Sequence, residues 1–224
     1  TNLGSNINTN TDEYIPIISV NGQFLYFCRW DNDNENIYVS EKDKDGWKEA
    51  KYLEGLNINK IRENEGPLAL SPDNNQLVVF KNGDLLVATK TADGWQQPIP
   101  MSDVINTSAW EADAMISSDG KALLFSSKRT EILDLPVNQI KDYHGDGAGN
   151  ADLFVSFLDG NGHWKQPVNL GDLINTPFLE RTPFLHPDMK TLYFSSDGHG
   201  GLGRMDVYKT TRLDETWTNW STPI

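Results

Sequence analysis

His186-Pro187-Asp188-Met189-Lys190-Thr191-Leu192-Tyr193-Phe194-Ser195-Ser196 is the stretch on which the fold turns. Pro187 followed by Asp188 is turn chemistry, because proline presets φ and an aspartate side chain bonds its own backbone nearby. The run 191–195 alternates only in part. Its apolar residues face both sides, as in a strand enclosed by stacked sheets. A glycine-rich loop comes next, Gly198-His199-Gly200-Gly201-Leu202-Gly203, and then a further strand at Asp206-Val207-Tyr208. Upstream lie Ile174-Asn175, Glu180 and an apolar segment at 182–186; downstream the unit closes on Trp220 and Pro223.

The same order of residues occurs three more times. Ile105-Asn106, Glu111, Ser117, Asp119, Leu123, Phe125, Asp152, Phe154 and Trp164 form one copy. Ile58-Asn59, Glu65, Ser71, Asp73, Leu77, Val79, Asp84, Leu86 and Trp95 form another. The first copy runs through Ile7-Asn8, Glu13, Ser19, Asn21, Leu25, Phe27, Asn36, Tyr38 and Trp47. A period of roughly 50 residues holding several strand-like runs is the mark of a propeller. The expectation is an all-β chain, a β-propeller of four-stranded blades. Residues 1–224 read as one domain with repeats at approximately 3–53, 54–101, 102–170 and 171–224. Four blades are visible, and membership of a larger ring is the alternative, because unclosed sheet edges are avoided. The repeated tryptophans are expected to be buried between blades. Both ends fall at repeat boundaries, which reads as a mature domain or a trimmed piece of something larger.

The formal net charge is −13. That balance argues against nucleic acid, which needs a basic footprint, and against an anionic membrane surface. No apolar run approaches the ~18 residues of a membrane helix, so membrane insertion is not expected. Cys28 is the single cysteine, which excludes an intrachain disulfide and reads as a buried thiol.

At these residues the chain resembles the WD40-like β-propeller repeat of bacterial envelope proteins. This is the TolB-like propeller, whose core is Ser-Pro-Asp-Gly-x-x-Leu-x-Phe-x-Ser, a glycine-rich loop and Asp-Ile-Tyr. The segment 164–176, Trp-x-x-Pro-x-Asn-Leu-Gly-x-x-Ile-Asn-Thr, is similar to versions in OmpA/peptidoglycan-associated proteins of Bacteroidetes. Asn74 replaces the usual glycine in the second copy, and Val20-Asn21-Gly22 replaces Pro-Asp-Gly in the first. The resemblance implies a periplasmic, outer-membrane-associated or secreted protein, and a non-enzymatic scaffold that binds partners.

Glu13, Glu65, Glu111 and Glu180 open the innermost strand of each blade. A residue repeated in every blade is expected to serve the blade itself, by hydrogen bonds to neighbouring amides, whereas a catalytic pair should break the symmetry. Departures from the repeat are where function is sought. The long third-blade loop carries Asp142, Asp146, Asn150 and Asp152, oxygen side chains among glycines that suit calcium, the one cofactor the sequence offers a site for. The loop 31–35 reads as a solvated turn. Trp30, Trp110, Phe178 and Tyr143 are aromatics that the other copies lack, and they are candidate anchors for a partner. The leading reading is a protein-binding propeller module of the cell envelope that is not an enzyme. The alternatives are a carbohydrate-binding module stacking sugars on Trp30 and Trp110, with glycan or peptidoglycan as partner, and a sialidase-like glycoside hydrolase drawing on Arg29, Arg129 and Arg181.

Overall fold

The computed structural model describes residues 2–31, 34–56, 65–129 and 151–224, and among these residues there are strands and turns and no helix. The fold class is all-β, with four antiparallel propeller blades. Blade 1 runs β1 (Glu13–Ile18), β2 (Phe24–Asp31) and β3 (Asn34–Asp43), with the short β4 (Gly46–Trp47) and β5 (Lys51–Tyr52) both pairing with β3. Blade 2 repeats this with β6 (Glu65–Leu70), β7 (Gln76–Lys81), β8 (Asp84–Thr91), β9 (Gly94–Trp95) and β10 (Ile99–Pro100). Blade 3 has β11 (Glu111–Ile116), β12 (Ala122–Ser127), β13 (Asp152–Phe157) and β14 (Val168–Asn169). Blade 4 has β15 (Glu180–Leu185), β16 (Thr191–Ser196) and β17 (Asp206–Thr211). Its expected fourth strand shrinks to one bridge, Arg212 with Trp220, and a reciprocal backbone pair between Lys209 and Ile224.

The repeat pattern has a direct physical cause. Its Leu-x-Phe and Asp-x-Tyr positions face each other across neighbouring strands, pairing Phe27 with Tyr38, Phe125 with Phe154 and Phe194 with Tyr208. The ring centroids lie 5.9, 6.0 and 5.9 Å apart, a spacing at which aromatic pairs attract. The Ser-x-Asp turn is a small cage. Ser19, Ser71 and Ser117 each accept the amide of Phe24, Gln76 or Ala122 at 2.9 Å and donate to the side chain of Asn21, Asp73 or Asp119. In blade 4 the serine is His186, and Asp188 takes over by accepting the amides of Lys190 and Thr191, which holds its carboxyl well below the usual range.

Every first strand contains a register shift. In three of them the bulged residue is left-handed: Ile15 at φ 51°, Asp113 at 53° and Thr182 at 50°. Isoleucine and threonine are strained there, so the bulge is over-determined by its surroundings.

The chain divides into two compact units, 1–101 and 102–224, at the boundary between the second and third repeats. Unit 1 is built around Tyr26, Ile37, Leu77, Val79 and Trp95, and unit 2 around Leu124, Val155, Leu192, Phe194 and Trp220. Only two of the four repeat tryptophans are buried, Trp95 and Trp220; Trp47 and Trp164 are half-buried. Trp95 packs edge-on against Tyr26 of the blade before it, at 6.1 Å. Blades 1 and 3 open their units, so their tryptophans have no preceding blade within the unit. Cys28 is fully buried and donates to the carbonyl of Glu65 at 3.4 Å; burial pushes its thiol up to about 12.

Candidate functional site

In blades 1, 3 and 4 the Ile-Asn segment that enters the blade is clamped by the blade's own glutamate. In blade 1, Glu13 accepts the Thr9 amide at 3.2 Å and its hydroxyl at 2.7 Å. In blade 3, Glu111 accepts the same pair from Thr107 at 2.9 and 2.8 Å, and the Ser127 hydroxyl at 2.7 Å. In blade 4, Glu180 accepts from Thr176 at 2.9 and 2.7 Å and from Ser196 at 2.7 Å. A threonine four residues before the glutamate therefore closes a ring that fixes the linker. Blade 2 has Lys60 after Ile58-Asn59, outside the described residues, and its Glu65 pairs with Lys81 at 3.2 Å.

A second clamp was not legible in the sequence. Arg29 donates to the Ile7 carbonyl at 2.8 Å and to Glu13 at 2.9 Å, with its guanidinium 4.3 Å from the Tyr38 ring. Arg129 does the same in blade 3, donating to the Ile105 carbonyl and lying over Phe125 and Phe154 at 5.0 and 5.3 Å. His199 takes this place in blade 4, with Nε2 2.9 Å from the Ile174 carbonyl and its ring against Phe194 and Tyr208. The three residues stand at different offsets from their strands, so no fixed spacing reveals them. Arg29 and Arg129 are thus engaged by linkers, and Arg181 by Asp113 at 2.6 and 2.9 Å.

The replacement of arginine by His199 changes the electrostatics of blade 4. Glu111 is fully buried beside Arg129. Glu180 is fully buried too, and among the described residues no cation lies within ion-pair distance of it. Burial pushes the Glu180 carboxyl up to about 7, and the nearby Asp152 charge adds to the push. A buried carboxyl poised near neutrality is a common feature of acid–base sites. Here all three donors to it come from its own blade, two from Thr176 of the linker and one from Ser196 on the neighbouring strand β16.

The structure brings some of the sequence-derived candidates together and not others. Trp110 is half-buried, with the Lys128 ammonium 5.5 Å and the Arg181 guanidinium 4.9 Å from its ring. Phe178 is 53% exposed, and its amide donates to the Thr176 hydroxyl at 3.2 Å, so it projects from a fixed linker. Trp30, 43% exposed, belongs to unit 1. Tyr143, Asp142, Asp146 and Asn150 lie outside the described residues. Asp152 is buried at the start of β13, where it accepts from the Asn169 amide at 2.7 Å. Among the described residues no three His, Cys, Asp or Glu side chains converge as a metal site. Asp31 is not the solvated turn the sequence suggested. It accepts from the hydroxyls of Tyr38 and Tyr52 and from the Asn36 amide.

No protein-family model and no curated protein matches the chain. Solved structures do. A protein of Agrobacterium tumefaciens assigned as TolB aligns with TM-score 0.58 and 13% identity, covering 92% of this chain and 62% of that one. A protein of Bacteroides uniformis assigned as a 6-phosphogluconolactonase aligns with TM-score 0.55 and 16% identity, over 96% and 55%. The oligogalacturonate lyase of Vibrio parahaemolyticus aligns with TM-score 0.51 and 16% identity, over 97% and 55%. The chain thus spans little more than half the length of these structures. At such identities the likeness shows the fold alone. It nevertheless corrects one expectation: the resemblance was taken to imply a chain that is not an enzyme, and enzymes are among the structures that share this fold.

Proposed function

We propose that the chain is a propeller recognition module of the bacterial envelope, exported to the periplasm, that holds a partner protein on the linker side of unit 2 through Trp110 and Phe178. The observation that carries this reading is Phe178, a large aromatic half in solvent on a linker whose backbone Glu180 and Thr176 hold in place. An anchor fixed in advance loses little freedom on binding, which is where affinity is gained. Trp110 is presented in the same way. Its carbonyl accepts the Lys128 amide at 2.9 Å, and its ring lies against two cationic side chains. The likeness to a TolB-assigned propeller supports the envelope assignment.

The test is cross-linking of the wild-type chain to an envelope extract, with the captured protein identified and its affinity measured. Phe178→Ala and Trp110→Ala should each weaken that partner tenfold or more while the melting temperature holds. Equal retention by all three proteins would move the site elsewhere.

A further inference from the structure

Between blades 1 and 2, on the side of the Ser-x-Asp turns, unit 1 has a cleft of about 640 Å³, a volume in the range of small-molecule sites. We infer that this cleft binds a saccharide bearing a carboxylate. Its lining combines three kinds of group. Phe24 and Tyr26 supply aromatic surface suited to the apolar face of a sugar ring. Asn74, Asn75 and Thr89 supply amides and a hydroxyl, which donate and accept as vicinal sugar hydroxyls do. Lys90 supplies the positive charge, its ammonium 5.2 Å from the Phe24 ring and 5.7 Å from the Trp95 ring.

These groups keep capacity for a ligand. Asn74 uses its carbonyl oxygen for the Val20 amide at 3.3 Å, and among the described residues its NH₂ has no acceptor. Asn75 spends its NH₂ on Asp73 at 3.3 Å and keeps its oxygen. Among the described residues no carboxylate pairs with Lys90. The nearby Asp73 carboxylate is engaged by Ser71 and by the Asn75 amide. In a chain of net charge −13, an ammonium seated on aromatic rings beside amides is a selective place for an anion.

The cleft is also not an unavoidable gap between blades. The matching positions of unit 2 are Ala122, Leu124, Met189 and Arg212 for Phe24, Tyr26, Asn74 and Lys90. There Trp217 fills the space. It is buried, packs in one cluster with Ala122, Leu124 and Met189, and lies 4.5 Å from the Arg212 guanidinium.

Calorimetric titration of the full chain tests this, using a glucuronic-acid-containing disaccharide and the matching neutral disaccharide. The acidic sugar should bind at least tenfold more tightly. Lys90→Met, which keeps the apolar stem on the rings, should erase that preference. Thr89→Val and Asn75→Ala, both at exposed positions, should weaken both sugars with the melting curve unchanged. Absence of binding at about 10 mM of either sugar, equal affinity for the two, a preference that survives Lys90→Met, or equal binding of an acidic tripeptide would each overturn the inference. Because the linker-side partner site lies in unit 2, a negative result here leaves the protein-binding reading to its own test.

Discussion

The two blade pairs share one repeat and end differently at the same notch. In unit 1, Lys90 and Trp95 are joined by four residues, Thr91-Ala92-Asp93-Gly94, and the notch stays open. In unit 2, Arg212 and Trp220 are joined by seven, 213–219, and the extra length lets Trp217 fold back at φ 67° and fill it. The linkers show a parallel contrast. Glu111 is balanced by Arg129, whereas among the described residues Glu180 has no cation within ion-pair distance, and His199 holds the linker instead. Shared residues build the blade, and single departures decide what each notch and each clamp can do.

The sharpest ways to break this comparison are substitutions with unequal effects at matching positions. Trp217→Ala should destabilise by about 3–5 kcal/mol, the range for buried aromatics, and should turn the filled notch into a cleft. Phe24→Ala, at the rim of a notch already open, should cost clearly less. Chemical denaturation of both variants measures the difference, and equal losses would show that Trp217 is not a plug.

Next come the two glutamates, for which opposite signs are expected. Glu111→Gln removes a buried charge that meets Arg129 at 3.4 Å and accepts from Thr107 and Ser127, and should destabilise the protein. Glu180→Gln removes a carboxyl that is disfavoured when charged. The folded state binds the Glu180 proton more tightly than the unfolded chain does. Its contribution is therefore fully present below pH 4.5, the ordinary value, and is lost as pH rises through about 7. Wild type should lose up to about 3 kcal/mol across that window, and Glu180→Gln should flatten the slope and be the more stable protein at pH 8. A steeper slope in the variant would contradict the assignment.

The smallest effect belongs to the surface. Phe178→Ala should change stability by no more than about 0.5 kcal/mol, so any loss of partner binding reports on the contact itself. A large drop in melting temperature would show that Phe178 is part of the core.

Much of the fold was legible because each repeated residue answers a need that every blade has. The Leu-x-Phe and Asp-x-Tyr positions stack across strands, and Ser-x-Asp closes a turn. The glutamates, too, are tied to structure by a threonine four positions upstream, a spacing present in the sequence at Thr9, Thr107 and Thr176. Other features were not legible for definite reasons. Arg29, Arg129 and His199 share a task but neither a residue type nor a spacing. Trp217 reads as one more loop aromatic, because only three dimensions show that it lies on Met189 and Phe157. Asp31 sits in an acidic run that looks solvated, yet two tyrosine hydroxyls reach it. Trp47 and Trp164 carry the same motif as Trp95 and Trp220, yet they are only half-buried, a difference the motif does not show.

The most direct test of the contrast between the two notches is a heteronuclear NMR titration of the whole chain with the glucuronic-acid-containing disaccharide. Saturable shifts are expected at the amides of Phe24, Asn74, Asn75, Thr89 and Lys90, with Met189, Arg212 and Trp217 unmoved. Shifts centred on Arg212 and Trp217, or none in either unit, would contradict the account.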